Sequence, residues 1–151
     1  MKRMPNQRRL TLKLGTGHRM TGQRRVIADV IQSATDHPDA NEVHRRALAV
    51  NSRISLSTVY RSLRLFAEVG FIEQHSFDGG RTRVERAPNE HHDHLIDTES
   101  GRVIEFKSAE IERLQSEIAR RLGYKLTGHR LELYGRAMQK PIKSVKRSSD
   151  V

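Results

Sequence analysis

Apolar residues recur at helical spacing through the first part of the chain and give way to strand-like runs near residue 71. Val26, Ile27, Val30 and Ile31 fall on one stripe behind Thr21, so the pattern predicts a helix over 21–34 with Thr21 capping its start. The stretch TDHPD breaks it. Asp39, with Glu42 three positions on, then makes a capping-box start for a second, shorter helix whose apolar face is Val43, Ala47 and Leu48. Ser55 or Ser57 can cap a third, with Leu56, Val59, Leu63 and Phe66 inward and Gly70 where a C-terminal glycine belongs. FIEQHSFDGGRTRVER follows, two strand-like runs joined by Asp78-Gly79-Gly80, where glycine tolerates the positive φ that a tight turn needs. Three short helices and a hairpin in this order predict a winged helix over 17–86.

Ala87-Pro88-Asn89 reads as a hinge over 87–89, because proline disfavours helix in the residue before it and cannot donate to a ladder. A second lobe over 90–136 reads as strand 91–97, turn TESG, strand 102–106, helix 108–122 capped by Ser108 and closed by Gly123, and strand 124–134. The expected class is α+β, an N-terminal winged helix-turn-helix domain followed by a C-terminal α/β domain. Residues 1–16 form a basic arm and 137–151 a basic, apolar-poor tail, both expected to be flexible. There is no internal repeat.

Charge narrows the function. Lysine and arginine total 28 against 18 acids, a formal charge of +10 with pI near 10.6, which favours a polyanionic partner. Nucleic acid leads, with an anionic membrane surface as the competitor. The first 25 residues carry Lys2, Arg3, Arg8, Arg9, Lys13, Arg19, Arg24 and Arg25 and no acid. No apolar run approaches the roughly 20 residues of a spanning helix, and the N-terminus lacks a signal peptide's apolar core, so a cytoplasmic location is expected. The chain has no cysteine, which excludes disulfides, thiolate zinc sites and iron–sulfur clusters. Any metal here uses nitrogen and oxygen ligands.

In LSTVYRSLRLF the apolar residues share one helical face, leaving Ser57, Thr58, Tyr60, Arg61 and Arg64 outward. Arginine can bond guanine O6 and N7 together, and a tyrosine ring can pack on a thymine methyl. Arg61 is the first candidate for base reading and Tyr60 the second; the hydroxyls suit phosphate. Arg19, beside the first helix, suits a minor groove narrowed by A·T tracts.

EHHDHLID at 90–97 concentrates metal-grade ligands. Side chains alternate along a strand, so His92 and His94 share one face while His91 and Asp93 share the other, and one strand can feed two sites. Each needs completion from elsewhere. The candidates are His37 in the break between helices, Glu85 at the end of the wing, Glu105 in VIEF, Glu112 on the late helix and His129 on the last strand. Imidazole and carboxylate suit iron(II), manganese(II), zinc or cobalt. His18, His44 and His75 have no neighbouring ligand in the sequence and stay unassigned.

TVYRSLRLF, the wing, HHDHLID, GRVIEF and GHRLELYG, in this order and at these separations, resemble the ferric uptake regulator family of metal-dependent repressors over about residues 17–136. The resemblance implies a winged-helix DNA-binding domain, a hinge, and a dimerisation domain whose strands join across a two-fold axis. By position it implies a hinge-side regulatory site of His37, Glu85, His92 and His94, with Glu105 as a fifth ligand, and a second site of His91, Asp93, Glu112 and His129. There are departures. Many members hold a structural zinc in two CxxC pairs; here the first pair is replaced by Asp97 and Ser100, so that site must be missing. Glu90 stands where a further histidine is common. The peroxide-sensing branch usually has aspartate at the place of Glu85, so the glutamate argues against oxidation sensing.

The expected function is therefore a homodimeric, metal-responsive regulator, not an enzyme, with iron(II) or manganese(II) as corepressor and a palindromic, A/T-rich DNA operator as partner. Two rivals remain. A binuclear metallohydrolase built on HHDH requires two metals about 3.5–4 Å apart, whereas alternating strand faces send the ligand pairs apart. A metal-independent architectural DNA binder would leave the histidines incidental.

Overall fold

The computed structural model describes residues 18–138, and the chain divides into two compact units, Met1–Glu90 and His91–Val151. The basic arm 1–16 and nearly all of the tail 137–151 lie outside the described residues.

The first unit begins with helix α1, Gly22–Ser33, whose N-cap Thr21 accepts from the Arg24 N–H, as the stripe and the threonine predict. Helix α2, Ala40–Val50, starts on Asp39, which accepts from Glu42 N–H at 2.9 Å. The capping box is only half made. Glu42 turns its carboxylate to Arg45 and Arg46 instead of back to the cap. Helix α3, Leu56–Glu68, is capped by Ser55, which resolves the choice between the two serines. Gly70, at φ 71°, follows its end in the left-handed region that only glycine enters without strain.

Strands β1, Ile72–His75, and β2, Arg83–Arg86, pair antiparallel with Glu73 opposite Glu85 and His75 opposite Arg83. Between them a 3-10 turn at Phe77–Gly79 places Asp78 and Gly79 at positive φ, so the wing turn is wider than a two-residue hairpin. Ile27, Ile31, Val43, Ala47, Ile54, Val59, Leu63, Phe66, Ile72 and Val84 form one buried cluster drawn from all three helices and both strands. Leu48, expected inward, is 37% exposed instead, because Val43 and Ala47 already fill the α2 contact.

Among its described residues the second unit is a three-stranded sheet of order β4-β3-β5 with one helix. Strand β3, Asp93–Asp97, pairs antiparallel with β4, Val103–Phe106, and parallel with β5, Glu132–Gly135. Helix α4, Ala109–Arg121, is capped by Ser108 and followed by Gly123 at φ 86°. Two boundaries differ from expectation. Strand β3 starts at Asp93, two residues late, and the last strand covers only its final part, leaving His129 in the coil before it. The ladder to β3 begins where His94 N–H donates to the Leu131 carbonyl at 3.3 Å and His94 stands opposite Glu132, so the strand forms only from there on.

Candidate functional site

In the first unit the break between α1 and α2 is laid along the wing. Arg83 donates from Nε to the His37 carbonyl at 2.6 Å and from Nη2 to the Asp36 carbonyl at 2.8 Å, while Val84 N–H donates to Pro38 O. These bonds hold His37 at φ 50°, a conformation uncommon outside glycine. Its buried imidazole is thereby delivered to β2, where Nε2 lies 3.0 Å from Glu85 Oε2. The other oxygen of the same carboxylate meets His75: Nε2 and Glu85 Oε1 are 2.7 Å apart, and the His75 ring lies flat on Phe77 with centroids 5.3 Å apart. Asp36 and Glu42 anchor the break from behind. The Arg46 guanidinium holds the Asp36 carboxyl below its ordinary value, and Arg45 followed by Arg46 holds Glu42 down to about 2.

His75 and Arg83 were not singled out in the sequence. Their signal is the hairpin register: once Glu73 faces Glu85, strand alternation puts Glu73, His75, Arg83 and Glu85 on one face of the wing. The register was not legible because the seven-residue connection did not fix it.

In the second unit the strand parity holds. Asp93, 2% exposed, receives two imidazoles: His91 Nε2 stands 3.3 Å and His129 Nε2 3.0 Å from its Oδ1. The two Nε2 atoms are 2.9 Å apart, so at most one carries a proton in the gap between them. A buried carboxylate has to be neutralised. Two imidazole nitrogens and a carboxylate oxygen within 4.8 Å of one another are a donor set that fits a divalent first-row cation. Glu112, expected to join them, is exposed on α4 and outside that group. On the opposite parity His92 and His94 bring their rings to 4.8 Å; Glu105 pairs with His94 across the sheet and lies 3.9 Å from His92 Nε2.

At the turn after β3, Ser100 Oγ donates to Asp97 Oδ2 at 2.6 Å and Glu99 N–H to Oδ1. The serine bond, then the backbone one, holds the Asp97 carboxyl below its ordinary range. Hydrogen bonds close this turn.

On α3, Val59, Leu63, Leu65 and Phe66 are buried and Tyr60, Arg61 and Arg64 exposed, Tyr60 by 55%. Ser57 is exposed as well, but its hydroxyl lies 3.1 Å from Ser55. Thr58 is drawn into the cap through Ser55 and also accepts from Arg61 at 3.3 Å, so it is half-buried. Arg19 is exposed ahead of α1, and its carbonyl accepts from Arg24. Beside α3 an open cleft is lined by Tyr60, Arg61, Arg64, Arg81 and Thr82 among others, joining the helix to the wing.

A family model described as "Ferric uptake regulator family" matches residues 15–134. A ferric uptake regulation protein of Rhizobium leguminosarum bv. viciae is 55% identical over 124 residues, 82% of this chain and 87% of that protein. Among solved structures, a zinc-bound manganese uptake regulator superposes with TM-score 0.71 at 55% identity, covering 81% of this chain and 92% of its own. The Pseudomonas aeruginosa ferric uptake regulator with manganese superposes with TM-score 0.68 at 38% identity, over 80% of this chain and 91% of that one. The match runs through both units and both ligand-bearing segments, and the chain belongs to the ferric uptake regulator family.

Proposed function

We propose that the chain is a homodimeric, metal-responsive transcriptional regulator that binds a palindromic, A/T-rich operator when iron(II) or manganese(II) is bound. Residues 17–86 read DNA through α3, with Arg61 and Tyr60 on base edges and Ser57, Thr58, Arg64 and Arg19 on phosphates or the minor groove. Residues 90–136 form the dimerisation domain. The observation that carries the reading is that one compact unit holds both an outward Tyr60-Arg61-Arg64 face and a buried imidazole–carboxylate pair mounted on its wing. The relatives bear names of iron and manganese regulators, and the donor chemistry suits both metals.

In this reading His37 and Glu85 from the first unit and His92 and His94 from the second, with Glu105, ligate one cation across the 87–89 hinge. The cation supplies a fixed junction; the protein's side chains do the rest. His37 is held by the Arg83 clamp, and the paired heads of a dimer are then set about 34–36 Å apart, one turn of the double helix. His91, Asp93 and His129 serve a second ion. A coupling of about 1–3 kcal/mol makes operator binding roughly 5- to 150-fold tighter with metal. The test is fluorescence anisotropy of a labelled A/T-rich palindrome at fixed salt, with and without manganese(II), for wild type and His37→Ala. The expected result is metal-enhanced affinity that the variant loses. Equal wild-type affinities would refute the switch. Salt is held constant because a chain of net charge +10 binds DNA with strong ionic-strength dependence.

A further inference from the structure

The Glu85 carboxylate is held from two sides. Its two oxygens face two different imidazoles of the same unit: Oε2 stands 3.0 Å from His37 Nε2 and Oε1 stands 2.7 Å from His75 Nε2. His75 is buried, 8% exposed, and its ring is nearly parallel to Phe77, at 7° between planes, so its Nε2 has a fixed direction. The backbone fixes it too, because β1 and β2 put His75 diagonal to Glu85 on one wing face. A carboxylate able to rotate would offer a cation both oxygens. One hydrogen-bonded at Oε1 is held in one orientation, with Oε2 toward His37.

We propose that His75 is a positioning residue for Glu85: it binds Oε1, turns Oε2 toward His37, and thereby presents Glu85 to a divalent cation in a preset orientation. The inference rests on Glu85 being a metal ligand, as in the function proposed above. The physical basis is general: outer partners orient ligating groups, and their loss typically weakens metal binding about 10- to 100-fold. Glu73, whose Oε2 lies 3.8 Å from His75 Nε2, faces Glu85 across the hairpin. Two carboxylates directly opposite one another repel, and the imidazole between them offsets that repulsion.

Two substitutions separate the hydrogen bond from the packing. His75→Phe keeps a flat ring against Phe77 and removes the donor; His75→Gln keeps an N–H near the position of Nε2. Full-length protein is titrated with manganese(II), and with cobalt(II) as a spectroscopic probe of coordination number, alongside Glu85→Gln and wild type. His75→Phe is expected to weaken manganese(II) binding about 10- to 100-fold and to alter the cobalt(II) visible bands. His75→Gln restores the wild-type bands and an affinity within a few-fold. The inference is overturned if His75→Phe leaves affinity and bands unchanged while Glu85→Gln changes both; the metal site itself then stands. It is also overturned if both His75 variants lose one bound ion per chain, which would make His75 a ligand of a separate Glu73–His75–Glu85 site. If Glu85→Gln itself leaves the bands unchanged, both this inference and the regulatory site fall.

Discussion

The two units of this chain solve the burial problem in opposite ways. In the first, Ile27, Val43, Ala47, Val59 and Phe66 are wholly buried and drawn from three helices that enclose them together with the wing. In the second, Ile96 is the one buried apolar side chain among the described residues, while Leu114, Ile118, Leu122 and Tyr124 on or just beyond α4, and Ile104, Leu133 and Tyr134 on the sheet, are 41–74% exposed. One unit has a core of its own. The other has the apolar residues of a core without the second layer that would cover them, which is how an obligate dimerisation domain looks in a single chain. In the function proposed above, DNA reading sits on the self-sufficient scaffold and assembly on the one whose apolar face a second copy would cover.

The largest expected effect breaks the second half of that comparison. Leu114→Glu with Ile118→Glu puts charge on the exposed α4 stripe, and each apolar side chain is worth about 1.5–3 kcal/mol on burial. Counted in both copies, about 6 kcal/mol or more is lost, roughly four decades in dimer dissociation constant. Sedimentation velocity should show dimer for the wild type and monomer for the variant; a variant as dimeric as the wild type would place the interface elsewhere.

Phe66→Ala tests the other half. A cavity at this wholly buried, edge-packed ring, 5.3 Å from Phe71, costs about 3–5 kcal/mol. In urea the first unit should melt early while dimerisation persists. Coincident loss of both would show that the units do not fold independently.

Arg83→Met sharpens the comparison at the ligand. It removes two hydrogen bonds from a charged donor to the Asp36 and His37 carbonyls, about 1.5–3 kcal/mol for bonds of this kind. Manganese(II) affinity should drop tenfold or more by calorimetry, with the His91–Asp93–His129 group unaffected. Equal loss at both sites would argue for general unfolding.

The smallest effect is electrostatic. Asp36 and Glu42 have carboxyls held below their ordinary values by Arg46 and Arg45, so the stabilisation is complete above the unfolded values near 4 and is lost as pH falls through the folded ones, to about 2 for Glu42. Arg46→Met should lower melting temperature slightly at pH 6, the Asp36–Arg46 pair being worth about 0.2–1 kcal/mol given its exposure. The gap to wild type should close toward pH 2. A gap independent of pH would assign the effect to packing of the arginine stem.

The same comparison explains what could be read from the residues. Helices α1 to α3 were legible because a self-contained core imposes its period on Ile27, Ile31, Val59 and Leu63, and because Thr21, Asp39 and Ser55 announce the starts. The last strand was not. Tyr124 and Leu126 look like strand residues, yet they are exposed in coil, since apolar character here does not report burial within the chain. At the ligands, parity alone separated His91 and Asp93 from His92 and His94. The roles of His75 and Arg83 needed the hairpin register, which no local pattern encodes.

In the proposed function a cation fixes the posture of the DNA-reading units within a dimer. The chain has no cysteine, so Gln32→Cys on exposed α1 provides a single spin-label position per copy. Electron–electron double resonance between the two labels, with diamagnetic zinc(II) as the added cation, measures the distance distribution directly. A broad distribution is expected without metal and one narrow distance with it, the narrow distance being lost in His37→Ala; the same distribution with and without the ion would refute the switch.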